Sequence, residues 1–206
     1  DENKNLFWRN GYLKKKFQLN NIYDLNYHTW NLKKKYWKPM DIICPSRWLY
    51  DLAKQSSLMS KWNIHHVPYP IDLDVFKKYN KLESRKKNNI PLDSIVILFG
   101  AVQATTDKRK GFDLLIKSLN KIKSQKKITV VVFGSQRSIH VENVNIKIIY
   151  RKHLSDLSKI ISLYSCADIM AIPSRQDNLP LIAMEASACS LPIVSFDIGG
   201  LPDIIN

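Results

Sequence analysis

The 206-residue chain carries 32 Lys and Arg against 18 Asp and Glu, a formal net charge of +14, with 45% hydrophobic and 10% aromatic residues. That composition is far from the low-hydrophobicity signature of disorder, and the length accommodates one or two globular domains. No apolar run approaches the ~20 residues of a membrane-spanning helix, and the first residues, DENKNLFWRN, lack the charged-then-apolar layout of a signal peptide, which argues against secretion and membrane insertion. Of the basic residues 25 are Lys, accompanied by abundant Asn and Ile. Codon bias spread over solvated faces accounts for this charge as well as a functional basic surface does; such a surface would attract nucleotide phosphates, anionic headgroups or nucleic acid alike. Cys44, Cys166 and Cys189 are widely spaced among apolar residues, which suits buried free thiols in a reducing compartment rather than a disulfide or zinc framework.

Residues 1–40 hold nine basic and three acidic residues, including Lys14–Lys16 and Lys33–Lys35, together with Trp8, Trp30 and Trp37, and show no sustained strand or helix period. The segment reads either as a patch for an anionic membrane surface or as a loop-and-helix region whose packing partners lie elsewhere; the absence of a clean amphipathic stripe favours the second. From Asp41 the pattern becomes a short strand through Cys44 and a helix from Arg47 with Ser46 as N-cap. Residues from Ile64 suggest a further strand leading into a Pro-rich crossing segment. Positions 77–93 are polar and basic, without apolar period, and read as a connection between domains.

Beyond residue 93 short β-branched runs alternate with helical periods. Ser94–Phe99 ends at Gly100 and Ile128–Phe133 at Gly134; Val144–Tyr150, Asp168–Ile172 and Pro192–Phe196 supply three more strands. Phe112, Leu115, Ile116, Leu119 and Ile122 mark one helix, Leu157, Ile160, Ile161 and Tyr164 a second, and Leu181–Cys189 a third. This alternation implies an α/β fold, a Rossmann-like doubly wound parallel sheet, with ligands bound beyond the carboxyl ends of the strands. Gly100 and Gly134, both following strands, belong to that edge.

Two constellations there carry chemistry. Residues 100–115 place Lys108, Arg109 and Lys110 just before a helix, whose N-terminus together with cationic side chains suits phosphate, although the Walker spacing is absent. Taken by itself, such a basic turn is better explained as a solvated loop. Residues 173–189 put Asp177 in a loop after a strand and Glu185 inside the next helix, about 7 Å along the axis from a start near Pro180. An acid amid Leu, Ile, Ala and Met needs donors such as ligand hydroxyls or backbone amides.

Taken together, Pro45–Leu49, Pro70-Ile-Asp with Phe76, Arg109–Leu115, Tyr164 with Ala167 and Asp168, Pro173-Ser174, Asp177–Pro180 with Glu185-Ala186, and Phe196–Asp203 resemble the retaining glycosyltransferases of family 4, nucleotide-sugar enzymes of the two-domain GT-B fold. The resemblance covers residues 41–206 well and 1–40 poorly. It implies a hexosyl unit transferred with retention from a UDP- or GDP-sugar to a bacterial polysaccharide or lipid-linked acceptor. The reaction would need no metal or other cofactor, and no nucleic acid as partner. The expected location is the cytoplasm, with peripheral contact to the inner face of the plasma membrane as a further expectation.

By the same resemblance, Asp177 occupies the first acidic position of the family's E-x7-E motif, near the transferred sugar, and Glu185 the second, where it accepts from the donor ribose. Lys110 matches the lysine that holds the pyrophosphate. The amides of Asn178, Leu179, Pro180-Leu181 at a helix mouth face the phosphates, and Lys152, His153 and Leu154 lie where main chain grips the base. Gly100 is followed by Ala101 where members commonly carry Arg, a charge Arg109 supplies from later in the loop, and Ser190 stands where Gly is usual. His28 precedes the P-S-R-W segment too closely to be the acceptor domain's histidine and reads as a surface residue. The expected organisation is an acceptor-domain remnant over 1–76, a linker over 77–93, and a nucleotide-sugar-binding domain over 94–206 that stops before its final helices. A catalytically inactive nucleotide-sugar-binding remnant is the alternative; a basic nucleic-acid-binding protein rests on charge alone.

Overall fold

Short apolar runs bounded by turn residues become strands, and the helical periods between them become the crossovers that parallel strands require. The computed structural model describes residues 7–12, 25–103, 105–134, 145–152 and 154–205, and the chain divides into two compact units, Asp1–Tyr69 and Pro70–Asn206. Lys14–Lys16 lie outside the described residues.

The first unit contains α1 (Phe7–Asn10), α2 (Leu25–Tyr36), β1 (Ile42–Cys44), α3 (Arg47–Gln55) and β2 (Ile64–His66). Strands β1 and β2 pair in parallel, Ile42 opposite Ile64, and Ser46 caps α3 by accepting from the Leu49 N–H at 3.1 Å. Cys44, Ala53, Trp62 and Ile64 form a small core. Helix α2 departs from the sequence expectation of no helical period. None of its residues is fully buried; it is held by edge contacts, with Tyr27 and Trp30 against Tyr12 and the Trp30 indole N–H donating to Ser57 Oγ at 3.3 Å. Such a helix leaves no apolar stripe for a periodicity argument to find. His28 is exposed on it.

The second unit contains α4 (Lys81–Lys87), β3 (Ile95–Gly100), α5 (Phe112–Leu119), β4 (Ile128–Phe133), β5 (Ile146–Arg151), α6 (Leu157–Cys166), β6 (Ile169–Ile172), α7 (Leu181–Ala188) and β7 (Ile193–Ser195). The five strands form one sheet in the order β5-β4-β3-β6-β7, every pair parallel. Alternation along the strands sends side chains to two cores. Val96, Leu98, Val131, Phe133, Met170 and Ile172 pack with α6 and α7 on one face. Phe99, Val130 and Val132 pack with Phe112, Leu115 and Leu119 of α5 on the other. The sheet is therefore doubly wound. No helix among the described residues is long and apolar enough to cross a membrane.

The stretch 77–93, expected from its polarity to be a connection, contains α4 and belongs to the second unit. Its anchor is polar. Arg85 is buried, and its guanidinium donates to the carbonyls of Cys166 (3.0 Å), Leu92 (3.0 Å) and Ser94 (3.2 Å) and to Asp168 Oδ2 (2.7 Å). Asn88 donates to Ser162 Oγ at 2.8 Å. Phe76 packs against the second unit's core. Burial alone would raise the Asp168 carboxyl, but hydrogen bonds from Lys81 and the Val96 N–H outweigh it and hold the pKa below the ordinary carboxylate range.

Replacing Arg85 with Met should destabilise the second unit by about 3 kcal/mol, because three carbonyls lose the guanidinium and Asp168 keeps only Lys81 and the Val96 N–H as donors, read as a lowered urea midpoint. Since the Asp168 pKa is lower folded than unfolded, its contribution is present at neutral pH and disappears as pH falls through the lowered value. Asp168→Asn should accordingly flatten the acid limb of the stability profile.

Candidate functional site

Counted from its first strand, the sheet has the order 3-2-1-4-5, so chain connections leave β3 and β6 in opposite directions and open a crevice beyond their carboxyl ends. The loops after β3 and β6, Gly134 at the end of β4 and Lys152 after β5 lie at this edge, and backbone crowding fixes them. A Cβ on Gly111 would lie 1.8 Å from the Pro173 carbonyl oxygen, one on Gly134 2.2 Å from that of Ala101, and one on Gly199 1.8 Å from that of Asp177. All three glycines have positive φ. Gly100 differs: its constraint is room, because a Cβ there would meet the Phe133 ring at 2.1 Å.

The loop after β3 ends in a 3-10 turn, Lys108–Lys110, capped by Asp107, whose side chain accepts from the Arg109 N–H at 2.9 Å. Lys110 extends from this turn, and its Nζ donates to Asp177 Oδ2 at 2.7 Å, with both side chains at least three-quarters buried (24% and 15% exposed). Arg109 turns away instead. Its guanidinium lies on Asp107 at 2.8 and 3.2 Å and is 72% exposed, so the pair lowers the Asp107 pKa chiefly through that hydrogen bond. The charge expected from Arg109 thus resides on an exposed guanidinium paired with Asp107, while Lys110 is the cation joined to the acidic loop.

Asp177 is fixed through its main chain as well. Its carbonyl accepts from the Gly200 N–H at 3.2 Å and touches Gly199, which brings the Phe196–Asp203 segment to the same place. Asn178 is half-buried, Leu179 and Pro180 are buried, and Leu181 is exposed at the start of α7. Pro180 at its N-cap makes no side-chain bond to the first turn, where the Ala183 N–H donates to the Pro180 carbonyl at 2.9 Å, and such a helix start suits an anion. Gly134 donates to the Lys152 carbonyl at 3.5 Å, Leu154 is half-buried against the core, and His153 lies outside the described residues.

Glu185, half-buried on α7, was expected to require donors from a ligand or the backbone. The structure supplies a side chain: the Tyr164 hydroxyl of α6 donates to Glu185 Oε2 at 2.6 Å. Arg175 is a second residue whose bonds to the site the motifs do not announce. Its N–H donates to the Arg109 carbonyl (2.7 Å), and its guanidinium to the Lys108 carbonyl and, bidentately, to Asp113, all at 2.7 Å. It joins the loop after β6 to the turn carrying Lys110. Both residues lie within or beside segments already singled out, Tyr164 four residues before Asp168 and Arg175 two before Asp177. Their signal was position beside a motif, whereas their partners are distant in sequence. Among the described residues no group of three His, Cys, Asp or Glu is arranged to hold a metal ion.

Glycine-crowded loops, a largely buried lysine and a helix start at the switch point of a parallel sheet define a doubly wound class of α/β domain with its ligand edge beyond the carboxyl ends of the strands. The chain belongs to the Glycosyl transferases group 1 family, whose profile matches residues 80–206. A D-inositol 3-phosphate glycosyltransferase of Xylanimonas cellulosilytica is 28% identical over 158 residues, covering 69% of this chain and 37% of the relative. Among solved structures, sucrose-phosphate synthase from Thermosynechococcus elongatus superposes with a TM-score of 0.68 at 20% identity, over 90% of this chain and 48% of that one. The Anabaena protein HepE, solved with UDP-glucose, gives a TM-score of 0.65 at 16% identity over 85% and 49%. At these identities the structural likeness carries the GT-B-type fold alone. The chain spans less than half the length of each of these proteins.

Gly111→Ala should displace the Lys110 turn from Pro173 and cost at least about 2 kcal/mol in stability, seen in thermal melts. The opposite sign is expected at Ser190, a non-glycine residue held at φ +55° just after α7. Ser190→Gly should stabilise by about 0.5–1 kcal/mol.

Proposed function

We propose that residues 70–206 form the donor-binding part of a family 4 retaining glycosyltransferase, which moves a hexosyl unit from a UDP- or GDP-sugar to a polysaccharide or lipid-linked acceptor. The observation that carries this reading is the Lys110–Asp177 pair at the switch point, beside an uncapped helix start. In this reading Lys110 and the amides of α7 stabilise the charge that develops on the departing diphosphate, by donors already in place. Asp177 orients the sugar and offsets positive charge growing at its anomeric carbon. Glu185 accepts from the ribose hydroxyls, and main chain around Lys152 and Leu154 holds the base. No protein nucleophile and no metal or other cofactor is invoked.

The HepE structure with UDP-glucose supports the donor class through a shared fold. The family match supports glycosyl transfer. We assign the reaction to the cytoplasm. The exposed Leu32, Tyr36, Trp37 and Met40, interspersed with Lys33–Lys35, offer contact with anionic headgroups where the acceptor is lipid-linked.

Isothermal titration with UDP and GDP tests the site. Lys110→Ala should weaken nucleoside-diphosphate binding by about 30-fold or more, since a charge-assisted contact is lost and Asp177 is left uncompensated, and Glu185→Ala by about tenfold. Lys127→Ala, which removes an exposed partner of Asp93, should leave it unchanged. Equal small effects at all three positions would sink the assignment. Binding without sugar transfer is the result expected of an inactive donor-binding remnant.

A further inference from the structure

We propose that Tyr164 is a positioning residue for the donor ribose, holding one oxygen of Glu185 so that the other is ready to accept from the ribose hydroxyls; this rests on the nucleotide-sugar reading of the site. The ring of Tyr164 is 1% exposed within the core of α6, α7 and the sheet. Phenylalanine would fill that space as well, so packing alone does not account for the hydroxyl. A buried phenol requires a partner, and this one donates to Glu185 Oε2 at 2.6 Å, the short distance of a charge-assisted bond. Among the described residues Glu185 Oε1 has no hydrogen-bond partner. Burial, and then the neighbouring carboxylate, push the Tyr164 pKa far up, so the hydroxyl remains a donor at every working pH.

The tyrosine is itself held. Phe133 meets its ring edge-to-face at 6.3 Å and 82°, and the Phe133 ring occupies the space that a side chain at position 100 would need. A line of contacts thus runs from Gly100 at the end of β3, through Phe133 and Tyr164, to Glu185 on α7. Its effect is entropic. A free glutamate loses rotamer freedom when a ligand immobilises it, and a carboxylate fixed beforehand binds without that cost.

The test uses the full chain and titrates UDP and GDP, each against its 2′,3′-dideoxy form, into wild type and Tyr164→Phe. The expected result is that Tyr164→Phe weakens the ribonucleotide about tenfold and leaves the dideoxy form unaffected, with the thermal melt confirming a folded protein. Equal loss for both forms means a purely structural role and overturns the proposal, as does no loss for either. Wild-type binding that ignores the ribose hydroxyls removes the role of Glu185, and the proposal with it, while leaving diphosphate binding intact. No nucleotide binding to wild type overturns the underlying reading as well. A measurement on the wild-type fold covers the case where the variant does not fold. The Tyr164 hydroxyl proton, shielded by burial, should give a resonance that is lost in Glu185→Ala and shifts with the ribonucleotide but not the dideoxy form; equal shifts with both overturn the proposal.

Discussion

Close backbone approach at the carboxyl edge of the sheet is the constraint on which the site depends. Gly111 lies against Pro173, Gly134 against Ala101 and Gly199 against Asp177, each with no space for a Cβ. These contacts are carbonyl to main chain, so they cannot be relaxed by a side-chain rotamer. They bring the turn after β3, the loop after β6 and the segment after β7 to one place, and only because of that do Lys110 and Asp177, 67 residues apart, come within 2.7 Å. Arg175 acts in the same direction with side-chain bonds, joining the β6 loop to the Lys110 turn and to Asp113.

The charge of the chain divides along similar lines. Lys127 is exposed on an exposed carboxylate, and screening leaves such a pair little energy; Arg109 lies on the mostly buried Asp107 but keeps its own guanidinium in water. Arg85 is buried and saturated by three carbonyls and Asp168, which makes it structural. Lys110 is intermediate: partly buried, held by one acid, and at the edge where the fold class binds anions. Net charge alone identifies none of these differences, because each depends on what the cation touches.

Much of the second unit is legible in its sequence because its core obeys simple periods. β-branched runs such as Ile128–Phe133 can only be buried strands, and Phe112, Leu115 and Leu119 fall on one face of α5. Helices α2 and α4 escape the same reasoning for a common physical cause. One is held by aromatic and indole contacts on a single side, the other by Arg85 and Asn88, so neither writes an apolar stripe into the sequence. The site divides similarly. Lys110, Asp177 and Glu185 are local in motif and stand out by spacing. Tyr164 and Arg175 matter through partners 21 and 62 to 67 residues away, and a linear pattern does not encode such pairs. Ser190 adapts to a position that favours glycine, adopting φ +55° where the helix ends.

The Lys110–Asp177 pair also bears on how a donor would be distinguished from its product. In the proposed reading, a diphosphate arriving at Lys110 competes with the carboxylate for the same ammonium group. A bare diphosphate leaves that carboxylate facing added negative charge, in a place where three-quarters or more of both side chains is withdrawn from water. A sugar attached to the diphosphate brings hydroxyl donors that satisfy the displaced carboxylate, so the sugar-bearing nucleotide meets less opposition than the nucleotide left after transfer. One acidic residue would then both orient the sugar and favour release of the product. A neutral residue at position 177 would hold either ligand without that preference.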